Sequence, residues 1–208
     1  MEILYFGHSA FKLVGKNIHV VIDPYSESSK LGAKPIKTSA DVALVTHDHW
    51  DHNNIAAISG DPVVFDMPGD YEVKSITFKG INSKHGNNAE LPNTIFTIRM
   101  EDLTIAHLGD LGEVLSPAQL ERMSEVDILM VPVGGKFTIN PEQAVEVINQ
   151  IEPKIIIPMH YNMGPKDDIL PVSKFIEAIG MEPEKLPKLK ITKKDLPEEP
   201  KLIVLEAQ

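Results

Sequence analysis

The stretch DVALVTHDHWDH, residues 41–52, decides the fold that we expect, because an apolar run passes directly into a cluster of histidines and aspartates. The run from Asp41 to Thr46 is apolar throughout its middle, which is typical of a strand buried on both faces. Ligand sites in α/β sheets gather in the loops beyond the carboxyl ends of such strands. The sequence therefore predicts a buried strand with a functional site at its end.

Further strand-like runs lie on both sides of this stretch. Before it, three short runs separated by glycine-containing turns favour an antiparallel meander, at residues 2–6, 11–14 and 18–22. After it, the runs PVVF, SITFKGI, NTIFTI and LTIAH between residues 62 and 107 predict a second block of strands. We expect polar connections around residues 68–70 and 85–92.

The latter part of the chain alternates between predicted helices and strands. SPAQ (116–119) and NPEQ (140–143) each combine a capping residue, a proline at the first helical position and a glutamine three residues after the cap. The apolar runs DILMVPV and KIIIPMH follow these two helices, residues 171–179 predict a third helix that ends at Gly180, and LIVLE predicts a last strand. We expect the Lys-, Glu- and Pro-rich tail to be ordered only at this end. The alternation predicts a layered α/β fold, and a length of 208 residues favours a single domain over residues 1–208.

Composition narrows the chemistry. The chain has no cysteine, so a metal has to bind histidine, aspartate or glutamate. The net charge of −10 argues against coating of polyanions, which requires clustered lysine and arginine. The N-terminus has no basic region typical of a secretory signal, and no apolar run approaches the roughly 20 residues of a membrane span. We therefore expect a cytoplasmic protein without a membrane partner.

The histidine cluster is the strongest chemical signal. His47 and His49 are two residues apart in an extended segment, so their side chains point the same way and can bind one ion at about 2.0–2.1 Å. Asp51 and His52 fall on the turn that enters a predicted helix, NNIAAIS, and can face a second ion. A solvated surface run of histidine and aspartate would not explain why the cluster directly follows an apolar strand.

The pattern HxHxDH at residues 47–52 resembles the signature of the metallo-β-lactamase superfamily, and the segments KHG, HLGDLG and PMHY match its downstream positions in order. The resemblance implies a four-layer αβ/βα sandwich with two metal ions, one bound by His47, His49, His85 and Asp110 and the other by Asp51, His52, Asp110 and His160. GHSAF, HLGDLG and PVGGKFT look most like the branch of small metal-dependent hydrolases that includes ascorbate-6-phosphate lactonase-like proteins.

Other interpretations of single residues stay open at this point. His85 could be a surface histidine, Asp110 a turn former and His160 a buried core residue. The resemblance implies that Asp23 orients the histidine loop, although a turn carboxylate is an equal alternative. His8 and Tyr161 are candidates for the walls of a substrate pocket, with an ordinary loop histidine and aromatic packing as the alternatives.

The expected activity is hydrolysis. Two divalent ions about 3.5–4 Å apart can activate a shared water beside a polarised carbonyl or phosphoryl oxygen, and Asp51 can act as the catalytic residue that orients it. The sequence has no cysteine, no GxSxG and no GxxxxGK[ST], so no other nucleophile competes. Relatives that hydrolyse β-lactams carry cysteine where this chain has Asp110, and oxygen-reducing diiron relatives carry glutamate where it has His49. A small ester, lactone or phosphodiester is the expected substrate.

The ligand set leaves the metal open. Zinc is the first expectation, with manganese and iron as alternatives, because imidazole and carboxylate bind all three. The net charge stays negative even with two divalent ions, so a small-molecule partner fits better than extended nucleic acid. A homo-oligomer is possible. The alternative function is a non-catalytic metal-binding sensor or scaffold that retains the hydrolase fold.

Overall fold

The computed structural model describes residues 1–26, 28–86, 91–164 and 169–208. In these described ranges, sixteen strands form two large sheets and one short ladder. The six-stranded sheet contains β1 (Glu2–Gly7), β2 (Ala10–Val14), β3 (His19–Ile22), β5 (Val42–Leu44), β7 (Val63–Phe65) and β15 (Leu189–Lys190), and the ladder pairs β4 (Thr38–Ser39) with β6 (Ile58–Ser59). The order in the six-stranded sheet is β15-β1-β2-β3-β5-β7. The predicted antiparallel meander is confirmed in β1, β2 and β3.

The eight-stranded sheet is mixed. Its strands are β8 (Gly69–Val73), β9 (Ile76–Lys84), β10 (Pro92–Met100), β11 (Leu103–His107), β12 (Ile128–Pro132), β13 (Ile155–Met159), β14 (Glu184–Leu186) and β16 (Lys201–Leu205). They lie in the order β14-β16-β13-β12-β11-β10-β9-β8. Strands β8 to β11 are antiparallel, whereas β11, β12, β13, β16 and β14 are parallel. Helices α1 (Pro117–Met123), α2 (Pro141–Ile151) and α3 (Val172–Ile179) connect the parallel strands.

One hydrophobic cluster lies between the two large sheets. It joins the inward-facing residues of β2 and β3, such as Phe11 and Val20, to residues of the second sheet such as Phe96 and Ile105, all of them fully buried. Each such side chain stabilises the fold by about 1.5–3 kcal/mol relative to exposure. This shared core fixes one sheet against the other, and with them the loops at their common edge.

The outer face of the six-stranded sheet carries a second, smaller cluster. Ala10 and Val21 point away from the main core and pack against Tyr25 and Ile58. Within the described part of the chain, this outer layer consists of loops, short 3-10 turns and the β4–β6 ladder. The expected layered sandwich is observed, with a thin outer layer on this side where we expected α-helices.

Both capping boxes are confirmed, and they explain where α1 and α2 begin. The Ser116 side chain accepts a hydrogen bond from the backbone N–H of Gln119, and the Asn140 side chain accepts one from that of Gln143. Each glutamine side chain in turn accepts from the backbone N–H of its cap. The third predicted helix also ends at Gly180, which adopts the left-handed conformation at φ 68°.

Three expectations about local structure were wrong. NNIAAIS is not an α-helix: the turn Ile55–Ala57 is 3-10, and Ile58 then becomes extended to pair with Thr38. Residues 69 and 70, which we expected in a connection, belong to the edge strand β8, whose polar composition is not typical of a strand. The tail contributes β14 and β15, because each adds a short strand to the edge of a large sheet.

The carboxyl ends of β5, β11 and β13 meet at one edge of the molecule, where the two sheets face each other. Two hydrogen bonds join the sheets there, from the N–H of Thr94 to the carbonyl of Thr46 and from the N–H of His160 to the carbonyl of His8, both 2.8 Å long. In the described residues, no helix is long and apolar enough to cross a membrane. The single domain over residues 1–208 stays a prediction.

Candidate metal centre

Asp23 holds the histidine loop in place through hydrogen bonds. Its carboxylate is completely buried and accepts hydrogen bonds of 2.8 Å from the backbone N–H and the hydroxyl of Thr46. The same carboxylate lies 2.8 Å from Nδ1 of His52. Because Thr46 uses its proton on Asp23, its oxygen accepts the Nδ1–H of His47 at 3.0 Å. One carboxylate therefore orients both rings, with Nε2 of each histidine facing Asp110 in the site.

His47, His49 and His85 form the first group of potential ligands. Each offers one ring nitrogen, and the three nitrogens lie within 4.8 Å of one another. Nε2 of His47 is 3.0 Å from Nδ1 of His49, and the His85 ring lies 4.9 Å from the His47 ring. His85 reaches the site through a bridge to Leu111, so its loop is attached to the strand end that carries Asp110. These three residues were predicted together, and the structure brings them together.

Asp110 lies at the centre of the site. Its carboxylate is 2% exposed and lies 3.2–3.8 Å from Nε2 of each of four histidines, namely His47, His52, His85 and His160. The turn that carries Asp110 is held by Asn93, whose side-chain oxygen accepts the N–H of Asp110 at 2.9 Å. Gly109 has φ 56°, and a Cβ at this position would lie 2.7 Å from Cβ of Thr46. The turn therefore requires glycine before Asp110.

His8 belongs to a second group with His52 and His160. One nitrogen of each lies within 4.8 Å of the others, and the ring centroids of His8 and His160 are 4.1 Å apart. Nε2 of His8 is 3.2 Å from Oδ2 of Asp51. A third group, His47, His52 and Asp110, joins the other two. Asp51 is in none of these three groups, although the resemblance implied it as a ligand.

Burial and neighbouring charges shift the pKa values of the site residues in different directions. Burial and the neighbouring His52 lower the pKa of His47 to about 3. Burial and His160 lower the pKa of His8 to about 4. Burial disfavours the charged form of His52 too, but Asp110 and Asp23 raise its pKa to about 10. Burial would raise the pKa of Asp110, yet the imidazoles of His160 and His52 hold it well below its usual range. The site therefore favours positive charge next to Asp110.

The residues fit bound metal ions. Among the described residues, several buried polar atoms in the site have no hydrogen-bond partner, namely Nε2 of His8 and His52, both ring nitrogens of His85, Oδ1 of Asp110 and Nδ1 of His160. An unsatisfied buried polar atom costs about 1–3 kcal/mol, and so many in one place indicate that something else binds them. Imidazole nitrogens and carboxylate oxygens are suitable ligands for zinc, manganese and iron.

A cavity of about 520 Å³ opens onto these residues. Its polar floor is formed by His8, His49, Asp51, His85, Asp110 and His160. Its wall is largely apolar and contains Leu31, Trp50, Phe137 and Ile169, with Lys30 near the Trp50 ring. A larger cavity, of about 780 Å³, is lined by Met1 and residues near Lys190 and contains no histidine. The chemistry therefore belongs to the smaller cavity.

Tyr161 is buried and packs against Tyr5, with ring centroids 6.3 Å apart. It is not among the residues that line the cavity of about 520 Å³. Sequence reasoning missed Thr46, Asn93 and Gly109, which position the predicted ligands. The predicted roles of all site residues, Asp51 as the catalytic residue included, stay predictions.

The fold and the histidine cluster are those of the metallo-β-lactamase superfamily, and comparisons with known proteins agree. A family profile described as a beta-lactamase superfamily domain matches residues 2–160. A UPF0173 metal-dependent hydrolase of Pelotomaculum thermopropionicum is 31% identical over 198 residues, which cover 79% of this chain and 86% of the relative. One from Pyrobaculum islandicum is 29% identical, over 86% of this chain and 93% of the relative.

Solved structures give the same result. A Thermotoga maritima protein, described as a candidate Zn-dependent hydrolase of the metallo-β-lactamase superfamily, has a TM-score of 0.85 and 35% identity, with 100% of this chain and 99% of that chain covered. Igni18, a metallo hydrolase of Ignicoccus hospitalis, shares the fold at a TM-score of 0.67 and 19% identity, with 99% and 95% covered. The chain therefore belongs to the metallo-β-lactamase superfamily, and within it to the family of UPF0173 metal-dependent hydrolases. The finer resemblance to ascorbate-6-phosphate lactonase-like proteins stays a prediction.

Proposed function

We propose that this protein hydrolyses a small ester, lactone or phosphodiester with the help of two divalent metal ions. The observation that carries the proposal is the position of Asp110. Its two carboxylate oxygens lie 3.2–3.8 Å from imidazole nitrogens on both sides of the site, with His47 and His85 on one side and His52 and His160 on the other. A carboxylate placed between two groups of imidazoles suits a bridging ligand of a metal pair.

The distances between neighbouring ligand atoms support metal binding. Two atoms that bind one ion at about 2.1 Å, at angles between 90° and 120°, lie about 3.0–3.6 Å apart. The separations of His160 and His85 from Asp110, 3.2 and 3.4 Å, fall in this range. Zinc is the metal that we propose first, with manganese and iron as alternatives.

When bound, divalent ions polarise a carbonyl or phosphoryl oxygen and lower the pKa of a water molecule toward neutrality. Asp51 is the residue that we assign to accept the proton of the attacking water. It lies in the polar floor of the cavity, and although burial raises its pKa, His8 and His52 hold that pKa below its usual range. An ionised Asp51 can accept a hydrogen bond from the attacking water and orient it toward the substrate.

The cavity supports a small substrate. Its volume of about 520 Å³ lies within the usual range for small-molecule sites, about 300–1,000 Å³. Trp50 is 42% exposed and offers an aromatic surface at the mouth, and Leu31 and Phe137 extend the apolar wall. We therefore propose a substrate that carries an apolar acyl or aryl group next to the bond that is cleaved.

The test begins with protein freed of metal by a chelator and then loaded separately with zinc, manganese or iron. Elemental analysis gives the number of ions bound, and bis(p-nitrophenyl) phosphate, p-nitrophenyl esters and lactones serve as substrates. We expect about two ions per chain, turnover of at least one substrate and loss of turnover on chelation. Asp110→Asn keeps the shape of the side chain but removes its charge, and it should lose both metal and turnover.

Asp41→Asn is the matched control, because Asp41 lies on the surface beside Lys74 and makes no contact with the site. It should bind metal and turn over substrate like the wild type. Turnover that survives complete removal of metal would contradict the proposal. Full metal binding without turnover of any substrate would instead favour the sensor or scaffold.

A further inference from the structure

We propose that the imidazole of His8 is an additional metal ligand. Together with His52 and His160, it binds the ion on the side of Asp110 where those two histidines lie. The inference rests on the proposed metal centre and deepens it. It adds a ligand from the turn between β1 and β2, outside the HxHxDH pattern. The sequence pattern provides two imidazoles for this ion, and His8 provides a third.

The first support is distance. His8, His52 and His160 satisfy the same criterion as His47, His49 and His85, because one nitrogen from each residue lies within 4.8 Å of the other two. Small rotations of the rings bring these nitrogens to a separation of about 3.0–3.6 Å, which is the distance between two ligand atoms of one ion. The two sides of the site are therefore built alike, with three imidazoles on each side of Asp110.

The second support is the direction of the nitrogen. Nε2 of His8 lies 3.2 Å from Oδ2 of Asp51, yet it makes no hydrogen bond with any of the described residues. Nε2 of His52 has the same relation to Oδ1 of Asp110, at 3.4 Å and without a hydrogen bond. In both pairs the two atoms are spaced like neighbouring ligands of one ion, and their geometry is not that of a donor aimed at an acceptor.

The third support is the way in which the backbone holds His8. This residue has φ 55°, which is uncommon for a residue other than glycine and is typically retained where the surrounding structure holds a functional side chain. The carbonyl of His8 accepts hydrogen bonds from the hydroxyl of Tyr5 at 2.9 Å and from the N–H of His160 at 2.8 Å. His160 itself has φ 52°. The two residues are thus fixed to each other as a pair whose rings face the same space.

The variant His8→Asn tests the inference. Asparagine adopts positive φ more readily than most residues, so the turn keeps its conformation while the imidazole is removed. His19→Asn is the matched control, because His19 lies on β3, is half-exposed and is absent from all three ligand groups. Both variants and the wild type are loaded with Co²⁺ alone and examined by proton NMR, in which the ring N–H of each coordinated histidine gives a strongly shifted resonance.

We expect His8→Asn to lack one of the shifted resonances of the wild type and to bind one Co²⁺ at least about tenfold more weakly in competition with a chelator. His19→Asn should match the wild type in both measurements. In His8→Gly, which also tolerates positive φ, added imidazole should restore the affinity for Co²⁺. If His8→Asn retains every shifted resonance and both affinities, His8 is not a ligand.

These outcomes are separate from those of the proposed function. A wild-type protein that binds fewer than two Co²⁺ ions would contradict the metal pair itself, whatever His8 does. A wild-type protein that binds two ions and hydrolyses a substrate, while His8→Asn keeps its full set of resonances, would overturn only the inference about His8.

Discussion

Replacement of Asp23 by asparagine should weaken both the fold and the metal centre. Asp23 is fully buried and holds three groups at 2.8 Å: the N–H and the hydroxyl of Thr46 and Nδ1 of His52. It has φ 46°, a conformation that asparagine accepts, so Asp23→Asn introduces no backbone strain. The variant keeps one side-chain oxygen but loses the charge and one acceptor.

The size of both effects follows from these contacts. At least one of the three donors loses its acceptor, because Oδ1 accepts from the N–H of Thr46 while Oδ2 accepts from the other two. An unsatisfied buried donor costs about 1–3 kcal/mol, which reduces the free energy of unfolding by at least that amount. Loss of a carboxylate that orients a metal-binding histidine typically weakens metal binding by about 10–100-fold. Because each factor of ten in affinity is worth about 1.4 kcal/mol, the stabilisation by saturating metal should fall by a further amount of about 1.4–2.8 kcal/mol.

Urea unfolding of wild type and Asp23→Asn, each with and without zinc, separates the two effects. The difference without zinc reports the lost hydrogen bond, and the additional difference with zinc reports the weakened site. Asp23→Ala is the harsher comparison, since it leaves all three groups without an acceptor and should cost several kcal/mol in both conditions. Equal metal-induced stabilisation of Asp23→Asn and wild type would refute the argument that Asp23 orients the ligands.

Three further predictions concern other parts of the molecule. Gly109→Ala should lower the free energy of unfolding by about 2–4 kcal/mol and weaken metal binding, because the new Cβ meets neighbouring side chains. Gly180→Ala is its control, since Gly180 has a similar φ and its Cβ would meet nothing within 4 Å. It should cost only about 1 kcal/mol in thermal unfolding and leave metal binding unchanged. Asn140→Ala should remove a helix cap at a cost of about 1 kcal/mol in urea unfolding, and unchanged stability would contradict the capping box. The contacts of Asp41 with Lys74 and a backbone N–H lower its pKa in the folded protein, so its contribution to stability is present above the pKa that Asp41 has in the unfolded chain and is lost as the pH falls through the folded pKa. The free energy of unfolding, measured between about pH 2 and 6, should therefore vary less with pH in Asp41→Asn than in the wild type. Parallel curves for the two proteins would contradict this.

Features that depend on neighbouring residues in the sequence were predictable. The buried strand Val42–Leu44 and the helix caps at Ser116 and Asn140 are visible because the pattern and the structure involve the same few residues. The edge strand Gly69–Val73 was missed because its side chains alternate between half-buried and exposed, and pairing with β9 decides its conformation. The helix expected over residues 53–59 failed for the same reason, since Ile58 gains a strand partner in Thr38.

In the candidate site, the cluster His47, His49 and His52 was visible from residue type and spacing, whereas His85, Asp110 and His160 were predicted from the resemblance to the superfamily. Among the residues that position them, Asp23 was proposed from the resemblance, but Thr46 and Asn93 were not predicted. Asn93 acts on Asp110 across 17 positions, and Thr46 contacts Asp23 across 23. Threonine and asparagine are common in loops, so nothing in their type distinguishes these two from any others. Only the packing of the two sheets brings them to their partners.

The same packing explains how the site keeps its geometry. His47, His49 and His52 follow a strand of the six-stranded sheet, whereas Asp110 and His160 follow strands of the eight-stranded sheet. The distances between these two sets therefore depend on how the sheets lie against each other. The hydrogen bonds from Thr94 to Thr46 and from His160 to His8 cross from one sheet to the other next to the ligands.

A displacement of the sheets by a few tenths of an ångström would thus move Asp110 relative to the histidine loop without altering either loop. Metal–ligand distances lie within about 0.2 Å of their usual values, and a core substitution that alters packing shifts the backbone around it. Substitutions at fully buried positions between the sheets, such as Phe96, should therefore affect metal affinity even though they touch no ligand. The hydrophobic core of this protein is in this sense part of its metal centre.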